Sequence, residues 1–425
     1  MLIKNGRVID PASGLDGMLD IRVKGGIIAG IGSNLAPEGS EEILDAKGLI
    51  AAPGLVDTHA HFRDPGFTCK EDLHTGAQAA ARGGYTSVVC MANTAPVADC
   101  ESVLENIISR AGAEPLRIYQ AAAVTIGLKG EALTDMDALK KAGAALFTDD
   151  GMPVRDSGLL FAAMERAASA GCVISLHEED PALIRGPGIN EGEVSGRLGL
   201  AGAPAVAEAS MVARDCMLAL ATGARVIIQH ISAAPSVEAV RFARSLGARV
   251  DAEATPHHFS LTEEAILSKG TLAKMNPPLR SEADRLAIIE GLKDGTISII
   301  ATDHAPHRED EKNKDFAQAP SGVIGLETAL ALGITNLVLP GHLTLTELIS
   351  AMTVKPAQAL GLEAGRLTVG AGADIVIFDP SRRWKVEGFA SKSRNSPFLG
   401  DTLTGRVIHT VCGGRVVYTA CNIAD

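Results

Sequence analysis

The chain has 425 residues and carries 39 Lys and Arg against 51 Asp and Glu, a formal net charge of −12. This charge argues against a protein that coats nucleic acid or anionic lipid, because both partners require a basic surface. No apolar run approaches the roughly 20 residues needed to span a bilayer, and the start of the chain shows no secretory signal. Seven cysteines without a CxxC pair favour reduced thiols and a cytoplasmic location.

Both ends of the chain are predicted to form short β-strands. Near the start, LIKNGRVID and DIRVKGGIIAGIG alternate apolar with polar residues and contain Asn-Gly and Gly-Gly pairs, which is typical of hairpins. The same pattern returns in Gly365–Asp379 and Arg406–Tyr418. Neither end is long enough for a core of its own. Residues 1–52 and 362–425 are therefore predicted to pair into one small β-sandwich domain.

The middle of the chain, residues 53–361, alternates short apolar runs with stretches of helical composition. Runs that are apolar on both faces and alternate with helices indicate a parallel sheet covered by helices, and eight such units close a (β/α)8 TIM-like barrel. An open doubly wound sheet is the alternative, but it more often carries a Gly-rich phosphate loop. The eight runs are Leu55–His59, Thr86–Met91, Arg117–Val124, Ala144–Thr148, Cys172–His177, Arg225–His230, Arg249–Ala254 and Ile297–Thr302.

Polar residues capable of binding a metal fall at the carboxyl ends of these runs, where a barrel places its functional residues. They are His59, His61, Asp149, Asp150, His177, His230 and Asp303. Two histidines two residues apart on a strand point to the same face, which suits two imidazoles on one metal. Each histidine alone is more readily explained as a hydrogen-bonded structural residue. Together with the carboxylates they favour a metal cluster, with zinc first and manganese or cobalt as alternatives.

Several motifs give the chain a resemblance to a known family. They are DTHAHFRDPG (Asp57–Gly66), MANTAP (Met91–Pro96), FTDDG (Phe147–Gly151), Pro256–His258, KMNPPLR (Lys274–Arg280) and TDHAPH (Thr302–His307). In combination they resemble the class I bacterial dihydroorotases of the amidohydrolase superfamily, over essentially the whole chain. The resemblance implies a zinc-dependent, reversible cyclisation of N-carbamoyl-L-aspartate to (S)-dihydroorotate and water in pyrimidine (UMP) biosynthesis.

The resemblance also implies roles for individual residues. His59 and His61 would bind one metal, His177 and His230 the other, and Asp303 would bind metal and act as the catalytic base for the attacking hydroxide. Many relatives bridge the metals with a carboxylated lysine, for which FTDDG has no counterpart. Asp150 is expected to take that place, because Asp149 should point to the opposite face. The sequence leaves open whether one or two zinc ions bind per subunit.

Substrate contacts are expected from a second group of residues. Arg63 is placed to clamp a carboxylate, with a surface salt bridge to Asp64 as the alternative. The resemblance adds Asn93, Asn276, His307, Ser321 and Gly322, with turn-capping as the alternative for the two asparagines. His257 and His258 are expected to give structural support, and His74, His342 and His409 receive no role. The cysteines are expected to be small core residues.

Departures from the family pattern affect three places. Ala92 stands where relatives commonly have proline, so the turn presenting Asn93 is expected to be looser. Ser321 stands where relatives often have an aromatic residue. Arg308–Phe316 (REDEKNKDF) is a charged segment directly after His307, interpreted either as a solvated excursion or as a mobile lid over the barrel mouth.

Two other functions compete with the first. A hydantoinase or allantoinase is the alternative enzyme, but such relatives usually have the bridging lysine and lack an arginine at the place of Arg63. A catalytically silent partner of aspartate transcarbamoylase would typically have lost metal ligands, whereas every ligand position here is filled. An active enzyme that also binds aspartate transcarbamoylase stays open, and a homodimer is expected from family habit.

Overall fold

The computed structural model describes residues 1–186 and 188–420 of the chain. The strands are β1 (Leu2–Asp10), β2 (Leu15–Lys24), β3 (Ile27–Gly32), β4 (Ile43–Asp45), β5 (Ile50–Pro53), β6 (Leu55–Ala60), β7 (Tyr85–Cys90), β8 (Arg117–Gln120), β9 (Val173–Leu176), β10 (Arg225–Ile228), β11 (Val250–Ala254), β12 (Ile299–Ile300), β13 (Ile375–Lys385), β14 (Thr402–Cys412) and β15 (Arg415–Thr419).

The helices lie mainly between the central strands. They are α1 (Leu73–Gly83), α2 (Glu101–Ala111), α3 (Met136–Lys141), α4 (Ser157–Ala170), α5 (Glu193–Leu198), α6 (Ala205–Thr222), α7 (Ala234–Ser245), α8 (Pro256–Ser260), α9 (Ala265–Lys269), α10 (Glu282–Asp294), α11 (Glu309–Lys312), α12 (Ala329–Gly333), α13 (Leu345–Met352) and α14 (Val354–Leu360). Four of them, α4, α6, α7 and α10, lie where the composition predicts helix, in residues 158–170, 205–221, 236–246 and 282–293. Within residues 1–186 and 188–420, no helix is long and apolar enough to cross a membrane.

The central strands form a closed parallel barrel. One parallel sheet has the order β6-β7-β8 and another the order β12-β11-β10-β9. Single bridges join them: Phe147 pairs with Ala122 on one side and Ile174 on the other, and His304 pairs with Ala60. The predicted (β/α)8 barrel is therefore confirmed, with β6 and β12 as neighbours across the closure.

The fourth barrel strand is much shorter than the predicted run Ala144–Thr148, since only Phe147 forms bridges there. Asp149 supplies hydrogen-bond acceptors for nearby backbone amides that have no strand partner. Its carboxylate accepts hydrogen bonds from the backbone N–H groups of Val124 and Thr125 at 2.8 and 3.0 Å. A side chain thus replaces strand pairing at this point of the barrel rim.

Side chains from alternate strand positions pack on the two surfaces of the barrel wall, as the period of two in a strand requires. Val88, Ile174, Ile228 and Ile300 belong to the large buried cluster that includes the surrounding helices. Their neighbours form a second buried cluster with Ala359 and Leu360 of α14: Val89, Ala121, Leu146, Val173, Ile227, Ile299 and Ala301. The barrel interior is thus packed below its mouth.

Strands from both ends of the chain form one further sheet. Its order is β15-β14-β13-β5-β1-β2-β3, with β4 also paired to β1. The two ends meet where β13 pairs antiparallel with β5, Ile375 opposite Pro53 and Phe378 opposite Ile50. The predicted pairing of the chain ends is therefore present, and the division of the chain after residue 52 and before residue 362 stays a prediction.

Replacing Gly83 with alanine is expected to destabilise the protein. Gly83 ends α1, and an added Cβ would lie 2.2 Å from the carbonyl oxygen of Leu326, so backbone must shift. Overpacking of this kind costs about 1–3 kcal/mol. The free energy of unfolding measured in urea should fall by about that amount.

Gly196 in α5 offers the matched control, because an added Cβ there meets nothing within 4 Å. Gly196→Ala should be neutral or stabilising by up to about 1 kcal/mol, the propensity gain of alanine over glycine in a helix. Equal stability of the two variants would contradict the close approach at Gly83.

Candidate metal centre and active site

Four histidines and two aspartates meet at the carboxyl ends of the barrel strands. His59 lies on β6 and His61 directly after it, while His177 and His230 follow β9 and β10. Asp303 follows β12, and Asp150 comes three residues after the bridging Phe147. All six side chains are buried. The barrel therefore brings together the whole ligand set expected from the sequence.

Asp150 is the centre of this cluster. The set His59, His61 and Asp150 and the set Asp150, His177 and His230 each place their ligand atoms within 4.8 Å of one another. The carboxylate oxygens of Asp150 lie 3.4 Å from His59 Nε2, 3.5 Å from His61 Nε2, 3.7 Å from His177 Nδ1 and 3.9 Å from His230 Nε2. Asp150 thus belongs to two potential metal sites at once.

Asp149 and Asp150 face opposite directions. The Asp149 carboxylate is bonded to the backbone of Val124 and Thr125, whereas Asp150 faces the histidines. Asn93 holds Asp150 from the side, since its Nδ2 donates to Asp150 Oδ2 at 3.0 Å. Asn93 Oδ1 also lies 3.0 Å from His61 Nδ1. These two contacts hold the side chain of Asn93 in place, even though the preceding residue is Ala92 and not the proline common in relatives.

Asp303 completes one half of the cluster. Its Oδ1 lies 3.2 Å from His61 Nε2 and 3.5 Å from His59 Nε2. Burial by itself would raise the pKa of the Asp303 carboxyl, but the hydrogen bond from His61 and the charges of the nearby histidines hold that pKa below its ordinary value. The carboxylate is therefore ionised at neutral pH.

The donor set fits a divalent metal. Among the described residues, the buried Nε2 of His59 and Nδ1 of His230 have no hydrogen-bond partner, although buried polar atoms are normally paired. His177 Nδ1 and His230 Nε2 also face each other at 3.0 Å. Imidazole nitrogens and carboxylate oxygens without thiolate suit zinc or a similar divalent ion.

Two carboxylates behind the histidines were not expected from the sequence. Glu253 on β11 has Oε2 3.4 Å from His59 Nδ1, and Glu179 has Oε2 3.0 Å from His177 Nε2. Carboxylates in such places orient metal-binding histidines. The available signal was a charged residue inside the apolar run of β11 and a glutamate two residues after His177.

Three of the four histidines, together with Asp150 and Asp303, line a cavity of about 160 Å³ at the barrel mouth. Among the site residues expected from the sequence, only His59 and His307 are missing from its lining, and Gly151 and Ala305 are added to it. The lining residues are His61, Arg63, Asn93, Asp150, Gly151, His177, His230, Asn276, Asp303, Ala305, Ser321 and Gly322. Ser321 donates to Asn276 Oδ1 at 3.0 Å. The two loops that carry Asn276 and Ser321 therefore meet at one side of the cavity.

Arg63 faces this cavity and does not pair with Asp64. Asp64 instead accepts a hydrogen bond from Arg110 at 2.7 Å, so the salt bridge considered from the sequence is wrong. Arg63 Nη2 lies 3.5 Å from His307 Nε2, and burial lowers the pKa of the Arg63 guanidinium. A cation held in this way is suited to an anionic ligand.

Three site residues have a backbone conformation that side chains with a Cβ seldom adopt. The φ angles of Arg63, His230 and Asp303 are +57°, +30° and +46°. Such conformations cost about 1–3 kcal/mol each and persist where the surrounding structure enforces them, often at functional sites. The strain therefore coincides with the cluster that the sequence motifs define.

The remaining histidines and cysteines lie away from the cavity or behind it. His258 is held by Thr255 Oγ1 at 2.8 Å and by the carbonyl of Pro277 at 3.0 Å, which agrees with a supporting role. His74 contacts Glu114, and His409 contacts Thr419. Cys69 and Cys100 are exposed, so the expected core position is wrong for these two. Cys421 lies outside the described residues.

A barrel with this cluster at its strand ends defines the class of metal-dependent amidohydrolases. The amidohydrolase family matches residues 328–418. The L-hydantoinase (dihydropyrimidinase) from Arthrobacter aurescens is similar over 98% of this chain and 96% of its own, with a TM-score of 0.89 and 28% identity. The dihydropyrimidinase from Brevibacillus agri has a TM-score of 0.86 at 23% identity and shows the fold alone.

Sequence comparison narrows the class. The dihydro-orotase-like family matches residues 48–236. A dihydroorotase from Clostridioides difficile is 56% identical over 99% of this chain and 100% of its own length. One from Lactococcus lactis is 53% identical over 99% of both. The chain belongs to the dihydroorotase family and is a cyclic amide hydrolase.

Proposed function

We propose that the chain carries out the dihydroorotase reaction of pyrimidine synthesis at the cavity beside Asp150. In this reaction the carboxylate of N-carbamoyl-L-aspartate and its ureido nitrogen condense to close the ring of (S)-dihydroorotate, and water is released. The reverse reaction hydrolyses the ring amide. The observation that carries the proposal is the placement of a proton acceptor, Asp303, and a cation, Arg63, on the wall of one cavity.

Zinc is the metal that we propose for the cluster, in one or two ions per subunit. His59 and His61 would hold one ion, His177 and His230 the other, and Asp150 would contact both, because it lies between the two pairs. Bound zinc would supply a Lewis acid that makes hydroxide available at neutral pH. Glu253 and Glu179 would fix the ring orientations of His59 and His177.

Asp303 is the proposed general base and acid. Its ionised carboxylate faces the cavity and lies next to His59 and His61. In hydrolysis it would take the proton of the attacking water and pass it to the amide nitrogen that leaves the carbonyl carbon. In ring closure the same oxygen would accept the ureido N–H proton and return it to the departing oxygen, which leaves as hydroxide and becomes water with a further proton from solvent.

Substrate orientation would depend on the other residues of the cavity wall and on His307 beside it. Arg63 and His307 would hold the carboxylate that does not react, with charge-assisted hydrogen bonds. Asn93, Asn276 and Ser321 would contact the ring through their polar side chains, and the backbone of Gly322 would complete this wall. The reacting amide would then lie between these residues and Asp303.

A substrate comparison tests the proposal. The purified protein with zinc should turn over dihydroorotate and N-carbamoyl-L-aspartate, whereas dihydrouracil, hydantoin and allantoin should be poor substrates. Dihydrouracil is dihydroorotate without its carboxylate, so it leaves Arg63 unpaired. A site built for a polar group can reject an analogue that lacks it on the order of 10⁴-fold in kcat/KM.

The outcome distinguishes the competing functions. Equal turnover of dihydrouracil and dihydroorotate would support a hydantoinase-type enzyme. No turnover of any compound, with metal bound, would support a silent partner of aspartate transcarbamoylase. The filled ligand set argues against that second outcome. We also propose a cytoplasmic homodimer, able to associate with aspartate transcarbamoylase, whose composite β-domain comprises residues 1–52 and 362–425 and whose barrel comprises 53–361.

A further inference from the structure

The charged segment Arg308–Phe316, which directly follows His307, is anchored at two consecutive residues. It contains the short helix α11, and most of its residues are exposed. Lys312 is the exception, with 1% of its surface exposed. Its Nζ donates to the carbonyl oxygens of Lys274, Pro320 and Gly322 at 3.2, 2.9 and 3.2 Å. Lys312 thereby ties α11 to both loops that carry Asn276 and Ser321.

Glu311, the residue before Lys312, extends towards the other side and contacts Lys70. Glu311 Oε1 lies 2.9 Å from Lys70 Nζ. Lys70 belongs to the segment between β6 and α1, and its Nζ lies 3.2 Å from His307 Nδ1. A chain of contacts therefore runs from the anchored helix through Glu311 and Lys70 to the imidazole of His307.

The contact with Lys70 determines which nitrogen of His307 carries the proton. An ammonium group has three donors and no acceptor, so His307 Nδ1 must be the acceptor in this contact. Arg63 Nη2 is likewise only a donor, but it lies farther from the ring, 3.5 Å from Nε2. Because a neutral imidazole has one acceptor nitrogen, the shorter contact, with Lys70, leaves the proton on Nε2. Two N–H donors consequently stand side by side at the edge of the cavity.

The ring is also held in place and kept uncharged. The backbone N–H of His307 donates to Asn395 Oδ1 at 3.0 Å. Burial, together with the nearby charges of Arg63, Lys70 and Lys312, lowers the pKa of His307 to about 2. A neutral imidazole has two tautomers, and Lys70 selects between them.

We propose that Lys70, held by Glu311, is a positioning residue that fixes His307 as the Nε2–H tautomer, so that His307 and Arg63 together bind the non-reacting carboxylate of the substrate. The inference rests on the proposed roles of Arg63 and His307. It assigns specificity for the carboxylate to a residue that does not line the cavity. A surface ion pair without this role would contribute little to substrate binding.

The experiment compares Lys70→Met, Lys70→Arg and Glu311→Gln with the wild-type protein. Steady-state kinetics give KM and kcat for dihydroorotate, and calorimetry gives the Kd of orotate, a ring analogue that keeps the carboxylate. Lys70→Met should raise KM and Kd about 10- to 100-fold, the effect of one hydrogen bond to a charged group. The kcat should change less than about threefold, because the lost interaction is made equally in ground and transition states.

Conservative replacement and a remote lysine provide the controls. Lys70→Arg should recover part of the affinity, since it keeps donors near Nδ1, and Glu311→Gln should give a smaller loss. Lys269 forms a comparable ion pair with Asp401 at 3.0 Å, away from the cavity. Lys269→Met should leave KM, kcat and Kd unchanged.

A spectroscopic measurement reads the tautomer directly. Nitrogen-15 NMR of histidine-labelled protein, with His307 assigned from His307→Gln, should show a protonated Nε2 and an acceptor Nδ1 in the wild type. Lys70→Met should shift both nitrogens towards the average of two tautomers. Unchanged nitrogen shifts in that variant would overturn the inference.

Arg63→Met separates the failure of the inference from the failure of the proposed carboxylate site. If Arg63→Met leaves KM and the Kd of orotate unchanged, the carboxylate binds elsewhere and the proposed site fails with the inference. If Arg63→Met weakens both at least 100-fold and Lys70→Met weakens neither, the carboxylate site stands and the role of Lys70 is overturned. Weakening by both variants supports the inference.

Discussion

Asp303→Asn is expected to lower kcat for dihydroorotate hydrolysis by about 10²- to 10⁴-fold, the usual contribution of general acid–base catalysis. The carboxylate is ionised at neutral pH because His61 and His59 lower its pKa. An amide in its place cannot accept the proton of the attacking water. The same loss should appear in the direction of ring closure, since one group serves both directions.

Metal content and a matched carboxylate make this result interpretable. Metal analysis of Asp303→Asn must show that the bound metal is retained, so that the loss of activity reports on proton transfer. Asp251 supplies the control: it lies near the start of β11 and accepts a hydrogen bond from Ser298 at 2.8 Å. Asp251→Asn should keep kcat within about twofold. Retention of more than a tenth of the wild-type kcat by Asp303→Asn would contradict the proposed base.

Much of the architecture could be predicted from the sequence because it depends on local periodicity. Buried parallel strands are continuous apolar runs, and the run ending at His177 became β9, followed directly by that histidine. The rule that barrel residues function at strand carboxyl ends then located His59, His230 and Asp303. The pattern alone could not reveal the short fourth strand, since the pairing there depends on where the Asp149 carboxylate points.

The supporting residues of the site were harder to predict because their partners are distant in the chain. Glu253 is separated from His59 by 194 residues, and Lys70 from His307 by 237. Neither contact has a local spacing that would reveal it. For Arg63, a neighbour in the sequence suggested a contact that the fold does not make. Asp64 was a reasonable partner for Arg63, but in the structure it pairs with Arg110.

The Asp150 carboxylate keeps its negative charge at the centre of the cluster, where it can bind a metal. Burial would raise the pKa of the Asp150 carboxyl, but the charge of His59 and the nearby imidazoles of His177 and His230 hold that pKa well below the ordinary value. The buried carboxylate therefore keeps its negative charge among four histidines. A divalent metal on either side of Asp150 is thus bound by an anion that needs no proton release.

Asp150→Asn is expected to weaken metal binding at both halves of the cluster, whereas loss of one histidine should affect one half. Asp150 is the only residue shared by the two potential sites found among the described residues. Loss of an outer partner typically costs 10- to 100-fold in metal affinity, so loss of this shared ligand should cost more than about 100-fold. Activity should fall with metal content.

The variants His61→Asn and His230→Asn test whether Asp150 contributes to both potential metal sites. Each variant is dialysed against a graded series of a zinc chelator, and zinc per subunit is measured. If two ions bind, each histidine variant should lose one class of site and keep the other, whereas Asp150→Asn should weaken both classes together. Because coupled residues do not act additively, adding either histidine change to Asp150→Asn should cost less than the two single effects combined. An Asp150→Asn protein that keeps wild-type zinc affinity would show that the histidines alone bind the metal.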